Sequence, residues 1–341
     1  MSLLSDGVRV AVLIPCYNEE IALPKVVADF RAHLPTATVY VYDNNSSDRT
    51  IEVARAAGAV VRTEPLQGKG HVVRRMFADI EADVYVLVDG DDTYDAAAAP
   101  QLVALLLENR LDMVNAARVT SIAAAYRRGH RLGNAVLTGM VANIFGKRVS
   151  DMLSGYRAFS RRFVKSFPAL SAGFEIETEL TVHSLELRMP IAELPASYRD
   201  RPAGSGSKLR TYVDGVRILR MIVVLVKEER PLQFFSAAAA LLFVVAVAAG
   251  GPVVSEFFRT GLVPRLPTAV LAASLVMMAF LSVTCGLILD SVMRGRKEMK
   301  RLAYLSIPPP PDVSGWQAHG TAARPPTARA SDGADAADAL A

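Results

Sequence analysis

Two long stretches without a charged side chain constrain the fold of this chain more than any other feature of its sequence. They run from Leu232 to Ser255 and from Leu266 to Leu289, 24 residues each. A helix of that length spans about 36 Å, enough to cross a hydrocarbon core of about 30 Å. Two buried helices of a soluble core are the alternative, although such helices are rarely so long without a charge. The pattern therefore predicts a transmembrane hairpin, with spans at about 232–254 and 266–289.

Basic residues are concentrated at the two outer ends of this hairpin, which lie on the same side of the membrane. Those before and after it are Lys208, Arg210, Arg217, Arg220, Lys227 and Arg230, then Arg294, Arg296, Lys297, Lys300 and Arg301. The loop between the spans carries only Arg259 and Arg265. Because positively charged flanks stay in the cytoplasm, this bias predicts a multi-pass protein of the inner (plasma) membrane with both chain ends cytoplasmic.

The segment ahead of the hairpin, residues 206–231, combines an apolar helical pattern with a basic stripe. The stripe is formed by Arg217, Arg220, Lys227 and Arg230. Such a pattern is typical of an amphipathic helix that lies in the headgroup layer of a membrane. An ordinary surface helix of the preceding domain is the alternative.

Charge and composition bound the rest of the chain. A net charge of only +4 is too balanced for a nucleic-acid-binding protein, and we expect no nucleic-acid partner. Cys16 and Cys285 cannot form a disulfide framework, which favours a reducing setting. We predict an N-terminal tail (1–7), a catalytic domain (8–205), a juxtamembrane amphipathic helix (206–231), the hairpin (232–290) and a basic flank with a disordered tail (291–341).

The region from residue 8 to about 198 alternates short β-branched runs with helical patterns. The predicted strands are Val8–Ile14, Thr38–Tyr42, Ala59–Thr63, Val84–Asp89 and Met113–Ala116. The predicted helices are Glu19–His33, Asp48–Ala57, Lys69–Glu81 and Ala96–Asn109, with Asn18 and Asp48 as N-caps of the first two. This alternation predicts an α/β fold, a Rossmann-like and mostly parallel sheet with helices on both faces.

Polar clusters follow the first two strands. The first is Pro15-Cys16-Tyr17-Asn18-Glu19-Glu20, and the second is Asp43-Asn44-Asn45-Ser46-Ser47-Asp48. Ligands of open parallel sheets bind at the carboxyl ends of the strands. There Tyr17 could pack on a base, and Asp43 could accept a hydrogen bond from a nucleobase or ribose. Ordinary turn and capping chemistry is the alternative for both clusters.

A third cluster, Asp89-Gly90-Asp91-Asp92, ends an apolar strand. Crowded carboxylates repel one another unless a cation lies among them. Oxygen ligands suit Mg²⁺ or Mn²⁺, and Mg²⁺ typically takes one or two carboxylates together with substrate phosphates. We therefore expect a divalent metal at this strand end, with a solvated acidic turn as the alternative.

Cationic residues could neutralise anionic substrates near these clusters. They are Lys69 in Gln67-Gly68-Lys69-Gly70, and Arg118, Arg127, Arg128, Arg131, Arg157, Arg199, Arg201 and Lys208. Arginine suits phosphate through its bidentate fork. Taken one by one, most of them are also explained as solvated surface charges.

Taken in chain order, the motifs resemble those of one family. Pro15 to Glu20, Asp43 to Asp48, Gly68-Lys69-Gly70, Asp89-Gly90-Asp91 and Ser154-Gly155-Tyr156-Arg157 are similar to motifs of the inverting GT-A glycosyltransferases. The resemblance is greatest to the polyprenyl-phosphate branch, typified by dolichol-phosphate mannose synthase and bacterial undecaprenyl-phosphate glucosyltransferases. Tyr198-Arg199-Asp200-Arg201, then Ser207-Lys208-Leu209 and two C-terminal spans, also resemble that branch.

This resemblance implies a role for each matching position. Pro15, Tyr17, Glu19 and Asp43 are expected to hold the nucleoside, with Lys69 nearby, and Asp89 and Asp91 are expected to bind the metal and the donor diphosphate. Arg118, Arg131, Arg157, Arg201 and Lys208 resemble phosphate-binding positions, and Asp91, Arg131 and Arg157 are the expected catalytic residues. Glu177 falls where the branch has a Glu near the sugar. Many relatives have Gln where this chain has Thr93, so the third metal ligand stays open.

The implied activity is metal-dependent transfer of a hexose from a nucleotide sugar to a polyprenyl phosphate, with inversion. A lipid phosphate has its second pKa near 6, so it is largely dianionic at neutral pH and needs positive charge and a metal more than a general base. A UDP-sugar is favoured over GDP-mannose as donor. The expected cofactor is Mg²⁺ or Mn²⁺, the other partners are membrane lipids, and the bacterial relatives imply self-association.

Two alternatives stay open. A membrane glycosyltransferase that extends another acceptor, such as a growing polysaccharide, would carry an aromatic motif of the Gln-x-x-Arg-Trp kind, yet the one Trp of the chain, Trp316, lies in the tail. A membrane scaffold of the same fold that has lost catalysis would have no need of Asp89, Asp91 and the arginines.

Overall fold

The computed structural model describes residues 7–119, 139, 149–173, 175–199, 223–224 and 226–311. The strands are β1 (Val10–Cys16), β2 (Thr38–Asp43), β3 (Val60–Thr63), β4 (Val84–Leu87), β5 (Met113–Val119), β6 (Arg157–Ser160) and β7 (Ile191–Ser197). The helices are α1 (Leu23–His33), α2 (Thr50–Ala56), α3 (Lys69–Asp79), α4 (Ala99–Glu108), α5 (Arg161–Ser166), α6 (Ile176–Glu186), α7 (Pro231–Thr260) and α8 (Leu266–Leu305). A short 3-10 helix, Ala96–Ala98, precedes α4.

The strands form one sheet in the order β3-β2-β1-β4-β6-β5-β7. β6 is antiparallel to β4 and β5, whereas the remaining pairs are parallel. The carboxyl ends of β1 to β5 and of β7 therefore share one edge of the sheet, which we call the site edge. The opposite edge, where these strands begin, is called the amino edge. The predicted α/β fold with a mostly parallel sheet is confirmed.

Side chains of β1 alternate between two cores, one on each face of the sheet. Val12 and its neighbours on one face pack with α1 and α4, through residues such as Phe30 and Leu106. Leu13 and its neighbours on the other face pack with α3, α5 and α6, through residues such as Phe77. Because β1 is buried on both faces, it reads as a continuous apolar run in the sequence.

Several boundaries differ from those expected of the sequence. β4 ends at Leu87 before the acidic residues, β5 continues to Val119, and β6 and β7 are additional strands. The predicted N-cap role of Asn18 is wrong, because Asn18 has φ of 53° and its Oδ1 accepts a hydrogen bond from Ser47 N at 2.8 Å. Its side chain thus joins the loops after β1 and β2, and α1 begins only at Leu23.

Asp48 supports the start of α2 from one residue before the N-cap position, which Arg49 occupies. Its Oδ1 accepts a hydrogen bond from the backbone N–H of Thr50 at 3.0 Å. The predicted cap is therefore misplaced by one residue, while the chemistry of the interaction is that of a helix start.

α7 and α8 pack against each other along a stripe of small side chains. Apart from Pro231 at the start of α7, the buried residues recur every seven positions and are Ala239, Ala246 and Val253 on α7, and Ala272, Ala279 and Gly286 on α8. Only 17% of the most apolar 18-residue window of each helix is buried. Both helices are long and apolar enough to cross a membrane, as the sequence predicts.

Both helices extend beyond the predicted spans. α7 continues through Pro252 to Thr260, and α8 is one helix of 40 residues. Residues 291–305, which the sequence analysis assigns to a basic flank ahead of a disordered tail, are thus helical, a conformation that the assignment did not specify. Lys, Arg, Glu, Met and Leu, which fill this segment, are all good helix formers. Residues 312–341 and most of the predicted juxtamembrane helix lie outside the described residues.

Candidate active site

Most of the expected site residues lie at the site edge of the sheet. Pro15 is the penultimate residue of β1, Asp43 ends β2, and Asp89 and Asp91 follow β4. Lys69 begins α3, Arg157 begins the antiparallel β6, and Glu177 lies in the first turn of α6. Arg131, Arg201 and Lys208, for which phosphate binding is expected, lie outside the described residues.

The loops after β1 and β2 form the side of the site that is expected to hold a nucleoside. Pro15 pairs in register with Tyr42, and Tyr17 exposes 38% of its surface next to this pair. Glu19 is buried, and its backbone N–H donates a hydrogen bond to Thr50 Oγ1 at 2.9 Å. An aromatic ring and a carboxylate therefore stand beside the end of β2.

Asp43 carries an unsatisfied acceptor at this position. Its Oδ2 accepts a hydrogen bond from Ser46 N at 3.1 Å, whereas its buried Oδ1 has no hydrogen-bond partner among the described residues. A buried carboxylate oxygen without a partner is costly, so such atoms often receive a ligand donor. The imide N–H of a nucleobase or a ribose hydroxyl would supply one.

Asn44 fixes the loop that carries Lys69. Its Nδ2 donates to Glu64 O and Leu66 O at 2.9 and 2.8 Å, and its Oδ1 accepts from Gly68 N at 2.7 Å. Gly68 has φ of 133°, a conformation that side chains disfavour, and a Cβ there would overlap the carbonyl oxygen of Ala172. The glycine of this motif is therefore required by the backbone.

The two metal-binding candidates are held by different partners. Asp91 is 5% exposed, and its Oδ1 accepts hydrogen bonds from Thr93 Oγ1 at 2.6 Å and from Thr93 N at 3.2 Å. Asp89 lies against Gly155, where an added Cβ would overlap the carboxylate. The backbone at Gly155 thus leaves the space that the Asp89 side chain occupies.

A divalent metal fits the chemistry of these groups. In the described part of the chain, no set of three His, Cys, Asp or Glu side chains is arranged to hold a metal by itself. Asp89 and Asp91 would supply two carboxylates, and the remaining ligands would be water and diphosphate oxygens, which is the usual environment of Mg²⁺ in proteins. The residues present therefore suit a metal that arrives with a nucleoside diphosphate.

Lys69 joins Asp89 to Glu177. Its Nζ lies 2.5 Å from Asp89 Oδ1 and 2.5 Å from Glu177 Oε1. Burial alone would lower the pKa of Lys69, but the Asp89 and Glu177 carboxylates raise this pKa above its usual value. The ammonium group is therefore fixed and charged, and the other Glu177 oxygen, Oε2, is buried without a partner among the described residues.

The two described arginines of the expected phosphate site are engaged with protein groups. Arg118 forms a bidentate ion pair with Asp151 at 2.6 and 2.8 Å, and its guanidinium lies 5.4 Å from the centre of the Tyr198 ring. Arg157 is 1% exposed and donates to Ser154 O, Met152 O and Thr181 Oγ1. Direct phosphate contact stays a prediction for both, while the structure shows that Arg157 supports the loop beneath the site.

The sequence did not identify Thr93 and Asp151 as contributors to the site. Thr93 stands where many relatives have Gln, and the structure gives its hydroxyl a different task, since it donates to Asp91. A Thr two residues after an acidic strand end is the pattern of a local side-chain turn and could have indicated this bond. Asp151 is 33 residues from Arg118, and nothing in the sequence connects the two.

We expect Thr93→Val to weaken metal binding, because loss of a group that orients a metal ligand typically costs about 10- to 100-fold in affinity. Valine fits the buried position but cannot donate to Asp91 Oδ1. A Mn²⁺ titration of turnover, repeated as direct Mn²⁺ binding, checks this. Thr93→Ser, which keeps the hydroxyl, is the matched control, and a wild-type Mn²⁺ dependence of Thr93→Val would limit Thr93 to a packing role.

Comparison with known proteins gives sequence and structural relatives. The profile of glycosyl transferase family 2 matches residues 11–167. Protein RfbJ of Shigella flexneri is 55% identical over 124 residues, which cover 36% of this chain and 96% of that protein. A dolichyl-phosphate hexose transferase of Haloferax volcanii is 32% identical over 220 residues, which cover 64% of this chain and 95% of that protein.

The fold is also found among solved structures. A crystal structure of glucosyl-3-phosphoglycerate synthase from Mycobacterium tuberculosis, in complex with Mn²⁺, uridine diphosphate and phosphoglyceric acid, aligns with a TM-score of 0.52 and 25% sequence identity. The alignment covers 65% of this chain and 78% of that chain.

Proposed function

Because the chain belongs to glycosyl transferase family 2 and has the GT-A fold, we propose that it transfers a hexose from a nucleotide sugar to a polyprenyl phosphate. The observation that carries this proposal is the combination of Asp89 and Asp91 at the site edge with two helices that could cross a membrane. A soluble acceptor would give no reason for such helices, whereas helices in the bilayer would keep the site next to an acceptor that cannot leave it.

The relatives support both halves of the proposal. The name of the Haloferax volcanii relative specifies a dolichyl phosphate and a hexose. The mycobacterial synthase was crystallised with uridine diphosphate and Mn²⁺. We therefore infer a UDP-sugar as donor and Mn²⁺ or Mg²⁺ as cofactor for this chain.

In the proposed mechanism, the site first binds and orients the donor. Asp43 would accept a hydrogen bond from the nucleoside through its unpartnered Oδ1, with Pro15, Tyr17 and Glu19 around it. Asp89 and Asp91 would hold the divalent metal, which when bound neutralises the diphosphate leaving group. Glu177 would accept a hydrogen bond from a sugar hydroxyl through its buried Oε2. The donor would then lie along the site edge.

The acceptor supplies the nucleophile. A dianionic phosphate oxygen would attack the anomeric carbon in line, and the bond from that carbon to the nucleoside diphosphate would break, which inverts the configuration. No strong general base is needed because the phosphate is already deprotonated. Positive charge must bring the two anions together, and we assign this task to Arg118, Arg131, Arg201 and Lys208. Arg157, whose guanidinium is buried among protein groups, would contribute its charge from beneath the site.

We propose a cytoplasmic catalytic domain over residues 8–205, a juxtamembrane helix over 206–231 and a membrane hairpin over 232–290. The basic flanks of the hairpin support a cytoplasmic location for both chain ends in the inner membrane. A single hairpin per chain covers little membrane area, which favours self-association. Size-exclusion chromatography with light scattering in detergent would measure it.

A donor screen tests the proposed activity. Full-length protein in nanodiscs with undecaprenyl phosphate is incubated with a panel of UDP-sugars and GDP-mannose. Each reaction contains Mn²⁺, Mg²⁺ or EDTA, and the lipid product is identified by mass spectrometry. We expect one UDP-hexose to give a glycosylated lipid phosphate, and EDTA to abolish the product. Transfer to a soluble glycan but not to the lipid, or full activity in EDTA, would contradict the proposal.

A further inference from the structure

The part of α8 beyond the charge-free span reaches the catalytic domain. Residues 290–305, which we call the α8 extension, continue the same helix and add about 22 Å to its length. Acidic side chains of the preceding domain meet this extension at two joints. Both joints contain buried charges, which are costly unless they are paired.

The first joint is centred on Asp112, whose side chain is 0% exposed. Tyr304 donates to Asp112 Oδ2 at 2.7 Å, and Ser160 Oγ and Arg162 Nε donate to Oδ1 at 2.7 and 2.5 Å. The Arg162 guanidinium also lies 4.8 Å from the centre of the Tyr304 ring. Tyr304 is thus both hydrogen-bonded and stacked, and it packs against the apolar core on that face of the sheet.

The second joint lies one turn earlier on the extension. Lys300 Nζ is 2.7 Å from Glu186 Oε2, and the Glu186 side chain is 0% exposed. Lys297 Nζ is 3.0 Å from Glu229 Oε2, just ahead of α7. Glu186 ends α6, the same helix whose first turn carries Glu177 at the candidate active site.

Both joints lie at the amino edge of the sheet, opposite the active site. Asp112 precedes the first residue of β5, and Ser160 ends the antiparallel β6. Tyr304 is 14 residues past Asp290, a rise of about 21 Å, and the seven residues of β5 span about 23 Å. If the strands run from this amino edge back toward the membrane, the two lengths nearly cancel, and the site edge lies at the level of the membrane surface.

Exposed apolar side chains indicate which edge faces the membrane. Of the large apolar residues exposed in the described part of residues 7–199, Val60 alone lies at the amino edge, at the start of β3. The others follow strands or flank the Lys69 loop at the site edge and are Tyr17, Ile21, Leu66, Val119 and Leu170. Leu66 and Leu170 are 54% and 74% exposed, and both lie beside the Lys69 loop, so the exposed apolar side chains are concentrated at the site edge.

We propose that the α8 extension suspends the catalytic domain with its site edge against the bilayer, and that Tyr304 and Lys300 are positioning residues for the lipid-borne acceptor. The partner of the apolar rim formed by Ile21, Leu66, Val119 and Leu170 is the headgroup layer of the membrane. The role in acceptor use rests on the proposed function. The orientation of the domain does not.

Fluorescence quenching tests the orientation without an acceptor. Single cysteines are introduced as Leu66→Cys, Leu170→Cys or Val60→Cys in a Cys285→Ser background, in which the remaining Cys16 is buried. Each is labelled with a small fluorophore in nanodiscs that contain spin-labelled lipid. We expect quenching at positions 66 and 170 to exceed that at the matched control position 60 by at least about threefold. Equal quenching, or stronger quenching at position 60, would overturn the orientation.

Acceptor choice tests the positioning role. Tyr304→Ala is compared with Leu302→Ala, a change at an exposed residue of the same extension. The acceptors are undecaprenyl phosphate in vesicles and farnesyl phosphate in solution. We expect Tyr304→Ala to lower transfer to the bilayer acceptor by about tenfold or more and transfer to the soluble acceptor by less than about twofold, because misplacement affects only the fixed acceptor.

The outcomes separate the two proposals. Equal loss with both acceptors, or no loss with either, would overturn the positioning role of Tyr304. If wild-type protein transfers sugar to neither acceptor, the proposed function fails, and the quenching pattern still decides the orientation.

Discussion

Asp91→Asn should reduce turnover by about 10³-fold or more, a loss of about 4 kcal/mol of transition-state stabilisation. Asparagine replaces a charged metal ligand by a neutral one of the same shape, and its oxygen can still accept the hydrogen bond from Thr93 Oγ1. The fold should therefore persist while the site loses the charge that would hold the cation. Steady-state transfer and the thermal unfolding midpoint, measured on the same preparation, check both parts.

Asp92 offers a matched control for this substitution. It is the next residue, it has φ of 57°, and its carboxylate forms an ion pair with Lys25 at 2.7 Å. Asparagine tolerates this left-handed conformation, so Asp92→Asn should keep activity within a few-fold of wild type. If Asp91→Asn is as active as Asp92→Asn, Asp91 does not hold a metal.

Lys69→Met should destabilise the catalytic domain by about 3–5 kcal/mol, because it leaves the carboxylates of Asp89 and Glu177 without their shared cation. The Glu177 side chain is 7% exposed in this pair. For a domain of this size the thermal midpoint should fall by about 10 °C. Because the raised pKa of Lys69 keeps the ammonium charged, the difference from wild type should be constant from neutral pH up to the usual lysine pKa and should shrink only above it.

Two comparisons test the cause of this loss. Lys25→Met removes a lysine whose side chain is 52% exposed and whose partners are Asp29 and Asp92, so it should cost no more than about 1 kcal/mol. Added Mn²⁺ should raise the midpoint of Lys69→Met more than that of wild type, since the metal can replace the missing charge beside Asp89. An unchanged midpoint for Lys69→Met would show that the ion pairs of Lys69 with Asp89 and Glu177 do not stabilise the domain.

The parts of the fold that follow from local pattern were predictable. The run Val84 to Val88 is apolar at every position and is followed by Asp89, so both the buried strand and the acidic strand end could be read directly. The charge-free stretches gave the two long helices for the same reason. In each case neighbouring residues carry the signal.

The relations between distant residues could not be predicted. Lys69 lies 20 and 108 positions from the two carboxylates that it joins, so its sequence neighbours indicate only a loop cation. Arg157 has the residue type of a phosphate ligand, yet its hydrogen bonds to backbone carbonyls place it in the interior. Lys300 and Tyr304 have the sequence context of a solvated basic flank, and only the fold shows that they contact Glu186 and Asp112.

The joint at Asp112 also has a consequence for biosynthesis. Its last hydrogen-bond donor, Tyr304, is separated from it by 192 positions, and both long apolar helices lie between them in the chain. The ribosome therefore releases Tyr304 only after the hairpin has been made. The hydrogen bond between Tyr304 and Asp112 is therefore among the last long-range contacts that the growing chain can complete, and a chain truncated within α8 would lack it.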